Sequence, residues 1–231
     1  MFSLYHNQNR YVLSQLFSAT DLSDACRLRH EVFCDELWWR EPNADGLETD
    51  AYDTFAEHLG VYTVWQELIA TVRIVNAIYP MVIEKDFSGR VGAKYMIRKE
   101  QDTAEISRLA LKKEYRSSSA NLLPLIHSFI YHHLRNRGIR YTYAVVDKRH
   151  YAQLNQTGFD CWRIGRIQEC GRGKALACLV DWVDFPKNYH QFIDIDAVVY
   201  RETAQAMSPL TVRRTAQHPQ TAVAATGNVA R

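Results

Sequence analysis

Charged side chains lie inside runs of apolar residues in this chain, and no other feature constrains its fold as strongly. Arg73 interrupts the strand-like run at residues 70–75, and Glu105 and Arg108 open another such run. Burying an unpaired charge costs several kcal/mol, so a fold that buries these residues must bring opposite charges together. The sequence therefore predicts a polar pocket within the core, and we expect the functional site there.

Length and composition are those of an ordinary globular protein. The chain has 231 residues, enough for one large domain, with 47% hydrophobic and 23% charged residues. The formal net charge is only +2, from 28 basic and 26 acidic residues. This balance argues against a general nucleic-acid binder, so we expect no nucleic-acid partner.

The cysteine and histidine patterns indicate a reduced protein without a metal site. Five cysteines are scattered without a CxxC pair, and nine histidines lack the spacing of metal ligands. The first residues lack the features of a secretory signal, and no apolar run approaches the roughly 20 residues that span a bilayer. We therefore expect a cytoplasmic protein with no membrane span and no bound metal.

A first helix is predicted after the N-cap Ser18, because apolar residues recur at helical spacing. The predicted buried face consists of Leu22, Ala25, Cys26, Arg29 and Phe33. Arg29 on this face either snorkels to the surface or points into a pocket, and the spacing favours neither interpretation.

The rest of the chain is predicted to alternate between strands and helices. The predicted strands cover residues 58–64, 67–77, 104–113, 139–146, 161–169 and 174–184. The predicted helices run from the N-cap Asn121 to Arg137 and over residues 148–156. Residues 40–57 read as an irregular acidic loop, and residues 80–102 cannot be assigned. This order predicts an α/β (α+β) fold, with flanking helices on a mixed, mostly antiparallel sheet that has a strand–helix–strand unit near its middle.

The predicted fold occupies most of the chain. Residues 1–205 are expected to form a single domain. Residues 206–231 are small and polar, and we expect a disordered tail there.

The serine-rich turn before the second predicted helix is a candidate anion site. Ser118 and Ser119 precede the helix N-terminus, where free backbone amides bind anions. Positive charge lies just ahead of them, at Lys112, Lys113 and Arg116. The site would suit the phosphate of a phosphopantetheine arm, carried by coenzyme A or by an acyl carrier protein. The alternative is an ordinary capped helix beside a solvated basic strand end.

Glu105 and Arg108 are predicted to point to opposite faces of their strand, because they are three residues apart. Glu105 and Ser107 are predicted to share a face. A carboxylate that faces a pocket can take a proton from an attacking ammonium, directly or through a water. The alternative is a structural ion pair with a neighbouring strand.

The acidic loop contains Glu48, Asp50 and Asp53. Calcium binding is one interpretation, although the run lacks the ligand pattern of an EF-hand. Two other interpretations remain: the carboxylates bind a cationic substrate, or they pair with Arg29 and Arg73. Pairing with the arginines would account for all of these charges together.

These residues also follow a family signature. Arg29, Phe33, Trp39, Glu48, Asp50, Asp53, Arg73 and the Glu-Ile-Ser-Arg run at 105–108 resemble the pattern of acyl-homoserine-lactone synthases. These are bacterial autoinducer synthases of quorum sensing, with a GNAT-like acyltransferase fold. The resemblance continues more loosely to about residue 184.

The resemblance implies two substrates, S-adenosylmethionine and an acyl thioester on acyl carrier protein or coenzyme A, and no cofactor. The amine of S-adenosylmethionine would attack the thioester, and its carboxylate would then close the lactone with release of methylthioadenosine. Backbone amides where the central strands separate would stabilise the oxyanion. The implied catalytic residues are Glu105, Ser107 and Arg108.

The resemblance also implies roles for the remaining site residues. Glu105 would assist deprotonation of the amine, and Arg73 and Arg108 would hold the acidic loop and the strand in register. The S-adenosylmethionine side would consist of Arg29, Phe33, Trp39, Asp50, Asp53 and Arg73. The acyl and pantetheine side would consist of Arg116, Ser118, Ser119 and Ala144.

Other functions remain as alternatives. The stretch after Arg73 follows the family only loosely, and N-acyl amino acid synthases and exosortase-associated acyltransferases share the fold. A non-catalytic acyl-carrier or ligand-binding module is an alternative of another class. Trp39 and the complete Glu-x-Asp-x-x-Asp run favour lactone synthesis over the related acyltransferases, and an intact Glu105 together with the acidic loop argues against the binding module.

Overall fold

One nine-stranded sheet runs through the part of the chain that the computed structural model describes, residues 2–6, 9–116, 122–156, 159–185 and 187. The strands are β1 (Phe2–His6), β2 (Asn9–Leu16), β3 (Glu57–Thr63), β4 (Leu68–Asn76), β5 (Thr103–Leu111), β6 (Tyr141–Asp147), β7 (Cys161–Arg163), β8 (Gln168–Cys170) and β9 (Gly173–Asp181). Their order is β1-β2-β3-β4-β5-β6-β9-β7, with β8 also paired to β9. Only β5 and β6 pair in parallel, so the predicted mixed, mostly antiparallel sheet is confirmed.

Four α-helices accompany the sheet in the described residues: α1 (Ala19–His30), α2 (Val82–Lys85), α3 (Leu123–Asn136) and α4 (Lys148–Gln156). The Ser18 side chain caps α1 as predicted, accepting a hydrogen bond from the backbone N–H of Asp21. Helix α1 continues into a π-helix at Glu31–Glu36. Helix α3 starts one residue later than predicted, because Leu122 occupies its N-cap and Pro124 lies in the first turn.

Helices α1 and α3 pack on opposite faces of the sheet. Leu68 of β4 packs in a cluster with Leu28 of α1, whereas its neighbour Ile69 packs in a cluster with Leu125 and Ile130 of α3. Successive strand residues point to opposite faces, so each face of β4 contacts a different helix. The sheet is therefore the middle layer between two helical layers.

Strands β5 and β6 pair over three residues and then separate. The last parallel pair is Glu105 with Tyr143. Beyond it, β5 stays paired to β4 as far as Leu111, and β6 stays paired to β9 as far as Asp147. A cleft therefore opens in the middle of the sheet, within the strand–helix–strand unit formed by β5, α3 and β6.

Several predicted boundaries are wrong. Strands β1 and β2 were not predicted, and the predicted strand at 161–169 is two short strands, β7 and β8. Both pair with β9, and the chain bends between them at Gly165, just after Ile164, which is buried in one cluster with Ala177. The last strand ends at Asp181 instead of residue 184, and the predicted tail at 206–231 lies outside the described residues.

Candidate active site

A cavity of about 450 Å³ lies where β5 and β6 separate. Its volume is within the usual range for a small-molecule site, roughly 300–1,000 Å³. The polar end is lined by Phe33, Trp39, Glu105, Ser107 and Arg108. The apolar end is lined by Ile130, Ala144, Leu154, Phe159, Val180 and Trp182. A ligand with one polar and one apolar part fits this division.

Three arginines and three carboxylates form a closed ring beside the polar end of the cavity. Its members are Arg29, Arg73, Arg108, Glu48, Asp50 and Asp53. Glu48 bridges two of the arginines: it accepts from Nε of Arg29 at 2.6 Å and from Nε of Arg108 at 2.9 Å.

The two aspartates complete the ring. Asp53 accepts from Nη1 of Arg29 and from Nη1 of Arg73, both at 2.8 Å. Asp50 accepts from Nη1 of Arg73 and from Nη2 of Arg108, the latter at 2.8 Å. Three positive and three negative charges therefore alternate, and the ring has no net charge. Among the interpretations of the acidic loop, this geometry supports pairing with the arginines.

Arg29 points into the core, which decides between the two interpretations of its position on α1. Its side chain and that of Arg73 are both 0% exposed. Arg73 also donates from Nε to the hydroxyl of Ser107 on the adjacent strand, at 3.1 Å. The arginine predicted to interrupt a buried strand therefore has partners on the acidic loop and on β5.

The acidic loop is less irregular than its sequence suggests. Asp50 caps a short 3-10 helix at Ala51–Phe55, and Asp53 accepts in return from the backbone N–H of Asp50. The same two carboxylates therefore fold the loop locally and bind Arg73. This explains how a loop can hold charged side chains in a fixed arrangement.

Arg108 is not on the face that strand alternation predicts. Its φ is +54°, and the β4–β5 register shifts between Thr71 and Arg73. This bulge turns Arg108 toward the side of Arg73, and both arginines bind Asp50. The prediction of opposite faces for Glu105 and Arg108 is therefore wrong, although the two side chains are not hydrogen-bond partners in the described structure.

Glu105 is a buried carboxyl group on the cavity wall, and its side chain is 2% exposed. Oε2 accepts from the backbone N–H of Ile83 at 2.7 Å, and Oε1 has no hydrogen-bond partner among the described residues. Burial raises the pKa of Glu105 to about 7, and the Ile83 N–H together with the Arg73 and Arg108 charges opposes that rise. A carboxyl group with this pKa exchanges a proton readily near neutral pH.

Two of the ring carboxylates, Glu48 and Asp53, differ from Glu105 in the direction of their pKa shift. Burial acts to raise the pKa of Glu48 and Asp53, but the neighbouring arginines outweigh it and hold both below their usual values. They stay ionised at neutral pH and remain paired. Glu105 is thus set apart from them electrostatically, within the same site.

Two aromatic side chains, Phe33 and Trp39, line the polar end of the cavity. Their ring centroids are 6.1 Å apart, and the Arg108 guanidinium lies 5.7 Å from the Phe33 centroid. Trp39 is partly buried, and its Nε1 has no hydrogen-bond partner in the described structure. These aromatic faces suit a cationic ligand.

The predicted acyl-side residues are only partly described. Ala144 lies on the cavity wall, and Arg116 lines the cavity while pairing with Glu36 at 2.6 Å. Lys112 pairs with Glu67, so two of the three cations of the predicted anion site already have acidic partners. Ser118 and Ser119 lie outside the described residues.

Some site features could not be read from the sequence. The Ile83 N–H that binds Glu105 belongs to the stretch at 80–102 that had no assignment. His127 and His150 also line the cavity, with ring centroids 5.6 Å apart, and burial lowers the pKa of both. No periodic or spacing signal marked either histidine.

No group of three or more potential metal ligands occurs among the side chains that the structure describes. The five cysteines are free. None of the described helices is long and apolar enough to cross a membrane.

A family model described as autoinducer synthase matches residues 14–188. The chain belongs to the autoinducer synthase family. An acyl-homoserine-lactone synthase of Vibrio anguillarum is 25% identical over 164 residues, which cover 68% of this chain and 84% of that protein. The family and the names of its relatives make this chain an enzyme of the acyl-homoserine-lactone synthase type.

Solved structures share the fold of this autoinducer synthase. The AHL synthase LasI matches with a TM-score of 0.71 and 17% identity, over 79% of this chain and 96% of that one. The CoA-dependent acyl-homoserine lactone synthase BjaI, solved with SAM and isopentyl-CoA, matches with a TM-score of 0.65 and 21% identity, over 76% of this chain and 82% of that one. FeeM, an N-acyl amino acid synthase from uncultured soil microbes, matches with a TM-score of 0.58 and 16% identity, over 80% of this chain and 98% of that one. The fold is therefore shared by enzymes with different products.

Proposed function

We propose that this enzyme makes an N-acyl-homoserine lactone, for quorum sensing, from an acyl thioester and S-adenosylmethionine. One observation carries the proposal. Glu105, a carboxyl group with a pKa near 7 whose Oε1 has no hydrogen-bond partner among the described residues, lies on the wall of a cavity that is polar at one end and apolar at the other. The apolar end suits an acyl chain, and the polar end suits the amino-acid part of S-adenosylmethionine.

Glu105 acts as the base in the first step. It takes a proton from the ammonium of S-adenosylmethionine, directly or through a water, and the amine attacks the thioester carbonyl. The tetrahedral oxyanion is stabilised by backbone N–H groups where β5 and β6 separate. Its collapse breaks the C–S bond and expels the pantetheine sulfur as a thiolate. The nitrogen gives up its second proton to that sulfur, which leaves an amide and a free thiol.

The second step closes the ring. The carboxylate oxygen of the acylated S-adenosylmethionine attacks the γ-carbon, and the bond from that carbon to the sulfonium breaks. Methylthioadenosine leaves as a neutral thioether, so no oxidant, reductant or cofactor is needed. Phe33 and Trp39 hold the sulfonium by cation–π attraction, since the nearby carboxylates are already paired with arginines.

The acyl donor is proposed to be an acyl carrier protein, with coenzyme A thioesters as the alternative. BjaI, solved with isopentyl-CoA, shows that an enzyme of this fold accepts the latter. Exposed basic residues lie at the strand and helix ends near the cavity, at Lys113, Lys148 and Arg149. An acidic carrier protein would be attracted to them.

We expect the apparent KM for acyl carrier protein to rise with salt. Charge reversal in Lys113→Glu with Lys148→Glu should raise that KM several-fold and leave kcat nearly unchanged, because only the encounter is weakened. Steady-state kinetics over a salt series measures both effects. Lys94→Glu, a single charge reversal at an exposed lysine outside this basic group, is the control for a general effect of surface charge. A KM that does not vary with salt would favour coenzyme A thioesters instead.

We expect Ala144 to influence the choice of acyl chain. Alanine offers no hydrogen-bond donor to a 3-oxo group, so an unsubstituted chain should be preferred. Ala144→Thr should shift the product ratio toward 3-oxo chains by about one hydrogen bond, roughly 1 kcal/mol or fivefold. Mass spectrometry of products from mixed donors measures the ratio. An unchanged ratio in a normally folded variant would mean that Ala144 is only a packing residue.

The small molecules extracted from cells that express the protein test the proposed function. A response of a lactone reporter together with methylthioadenosine supports lactone synthesis. Acyl amino acids without methylthioadenosine would support the N-acyl amino acid synthase alternative, and neither product would favour a binding module. Cells that express Glu105→Gln provide the matched control.

We also propose that the enzyme acts in the cytoplasm, where its five free cysteines would stay reduced.

A further inference from the structure

The two-residue turn between β8 and β9, Gly171 and Arg172, contacts a distant part of the chain. The backbone N–H of Arg172 donates to the carbonyl oxygen of Leu37 at 2.9 Å. The Arg172 guanidinium lies 3.6 Å from the centroid of the Trp38 ring. More than 130 residues separate the turn from its partners, so the contact joins the last part of the sheet to the end of the π-helix.

Gly171 allows this contact to be as close as it is. A Cβ at this position would be 2.1 Å from the carbonyl oxygen of Leu37 and 2.4 Å from that of Trp38. The φ of Gly171 is +52°, in the left-handed region that favours glycine. No larger residue fits here unless the segment at 37–38 moves.

The segment that the turn contacts leads directly into the cavity wall. Trp38 has a φ of +56°, an uncommon conformation for a tryptophan, and the next residue is Trp39. The backbone N–H of Trp39 donates to the carbonyl oxygen of Phe33 at 2.8 Å, and its ring packs beside Phe33. Leu37 and Trp39 both line the cavity, whereas Trp38 faces outward.

The same hairpin also contacts the opposite wall of the cavity. Asp147, at the end of β6, pairs with Ala175 of β9 and lines the cavity. A Cβ on Gly173 would lie 3.2 Å from Oδ2 of Asp147. The hairpin therefore connects the wall that carries Trp39 with the wall that carries Asp147.

We propose that the Gly171–Arg172 turn is a latch that sets the position of Trp39, and that Arg172 is a positioning residue for the S-adenosylmethionine side of the site. The inference rests on the proposed function for its substrate, but the contact itself does not. Arg172 does not line the cavity and acts through Trp38. The anchored backbone of residues 37–38 then fixes where the Trp39 ring stands.

Arg172→Ala tests the latch without disturbing the backbone hydrogen bond. Loss of an exposed cation–π contact shifts the equilibrium between the held and the released position of residues 37–38 by about two- to fivefold. We expect the apparent KM for S-adenosylmethionine to rise by about that factor, with kcat and the KM for the acyl donor unchanged within twofold. Arg172→Lys keeps a cation over the Trp38 ring and should restore most of the lost affinity.

A matched control removes a positive charge from the same hairpin. Lys174 is exposed and pairs with the exposed Glu169, so Lys174→Ala changes the net charge equally without touching Trp38. We expect its kinetic constants to match those of the wild type. Gly171→Ala should have a larger effect than Arg172→Ala, because its Cβ must displace the carbonyl of Leu37.

A fluorine NMR measurement reads the position of Trp39 without relying on activity. The protein contains five tryptophans that 5-fluorotryptophan labels, and the variants Trp38→Phe and Trp39→Phe identify the resonances of these two residues. In Arg172→Ala we expect the Trp38 and Trp39 resonances to move and the remaining three, from Trp65, Trp162 and Trp182, to stay. In Lys174→Ala all five should stay.

The two readouts separate the latch from the proposed function. If no variant and not even the wild type makes lactone, the proposed function fails, and the fluorine spectra alone decide the latch. Movement of the Trp38 resonance alone would overturn the latch. So would an acyl-donor KM that changes as much as the KM for S-adenosylmethionine.

Discussion

Arg73→Ala should lower the free energy of unfolding by about 3–5 kcal/mol, because it leaves the partly buried Asp50 and Asp53 with one arginine partner fewer each. For a domain of this size that corresponds to a fall in Tm of roughly 6–20 °C. The stability of Arg73→Lys should lie between that of Arg73→Ala and that of the wild type, since one ammonium cannot reproduce the forked contacts to both aspartates and Ser107. Thermal unfolding followed by circular dichroism measures all three proteins.

The control for Arg73 is an arginine outside the ring. Arg27 pairs with Asp24 on the surface of α1, and both side chains are about half exposed. Arg27→Ala should change the stability by no more than about 0.5 kcal/mol. A Tm of Arg73→Ala equal to that of Arg27→Ala would show that the ring does not contribute to stability.

Glu105→Gln should reduce turnover by roughly 10²–10⁴-fold while leaving the fold intact. The amide can still accept from the Ile83 N–H through its oxygen, but it cannot take a proton. Single-turnover kinetics with saturating substrates measures the loss. Near-normal turnover in this variant would remove Glu105 from the reaction.

The raised pKa of Glu105 also sets a pH dependence. Because the base must be ionised, kcat/KM of the wild type should rise as the pH passes through about 7. That rise should be absent from the residual activity of Glu105→Gln. A wild-type profile that is flat between pH 6 and 8 would contradict the assignment.

Stability should respond to pH in the opposite direction. The pKa of Glu105 is raised from the ordinary glutamate value of 4.5, so the folded protein binds this proton more tightly than the unfolded chain. The stability contributed by the group is present at low pH and is lost as the pH rises from about 4.5 to about 7. At pH 8, Glu105→Gln should therefore be at least as stable as the wild type. Its loss of turnover would then come from the missing base and not from unfolding.

The sequence predicts most of the fold and the pairing of the buried arginines with the acidic loop. Arg29 and Arg73 stand on apolar faces near an acidic loop, and opposite charges in a core must pair, so their contacts with Asp50 and Asp53 follow from the residue types. The mixed sheet likewise follows from the order of strand-like and helical segments.

The remaining features depend on backbone geometry and on distant contacts. The bulge that turns Arg108 places this residue in the left-handed region within a strand, and the alternation of residues along a strand does not predict it. The partner of Glu105 is a backbone N–H, which carries no residue signature. The pairing of Arg116 with Glu36 joins residues 80 positions apart, and only the folded chain brings them together.

The ratio of products from the purified enzyme decides whether it makes a lactone. Purified protein is incubated with S-adenosylmethionine and a labelled acyl thioester, and mass spectrometry counts each product. We expect acyl-homoserine lactone and methylthioadenosine in equal amounts, with both lost together in Glu105→Gln. Acylated product without an equal amount of methylthioadenosine would contradict this expectation.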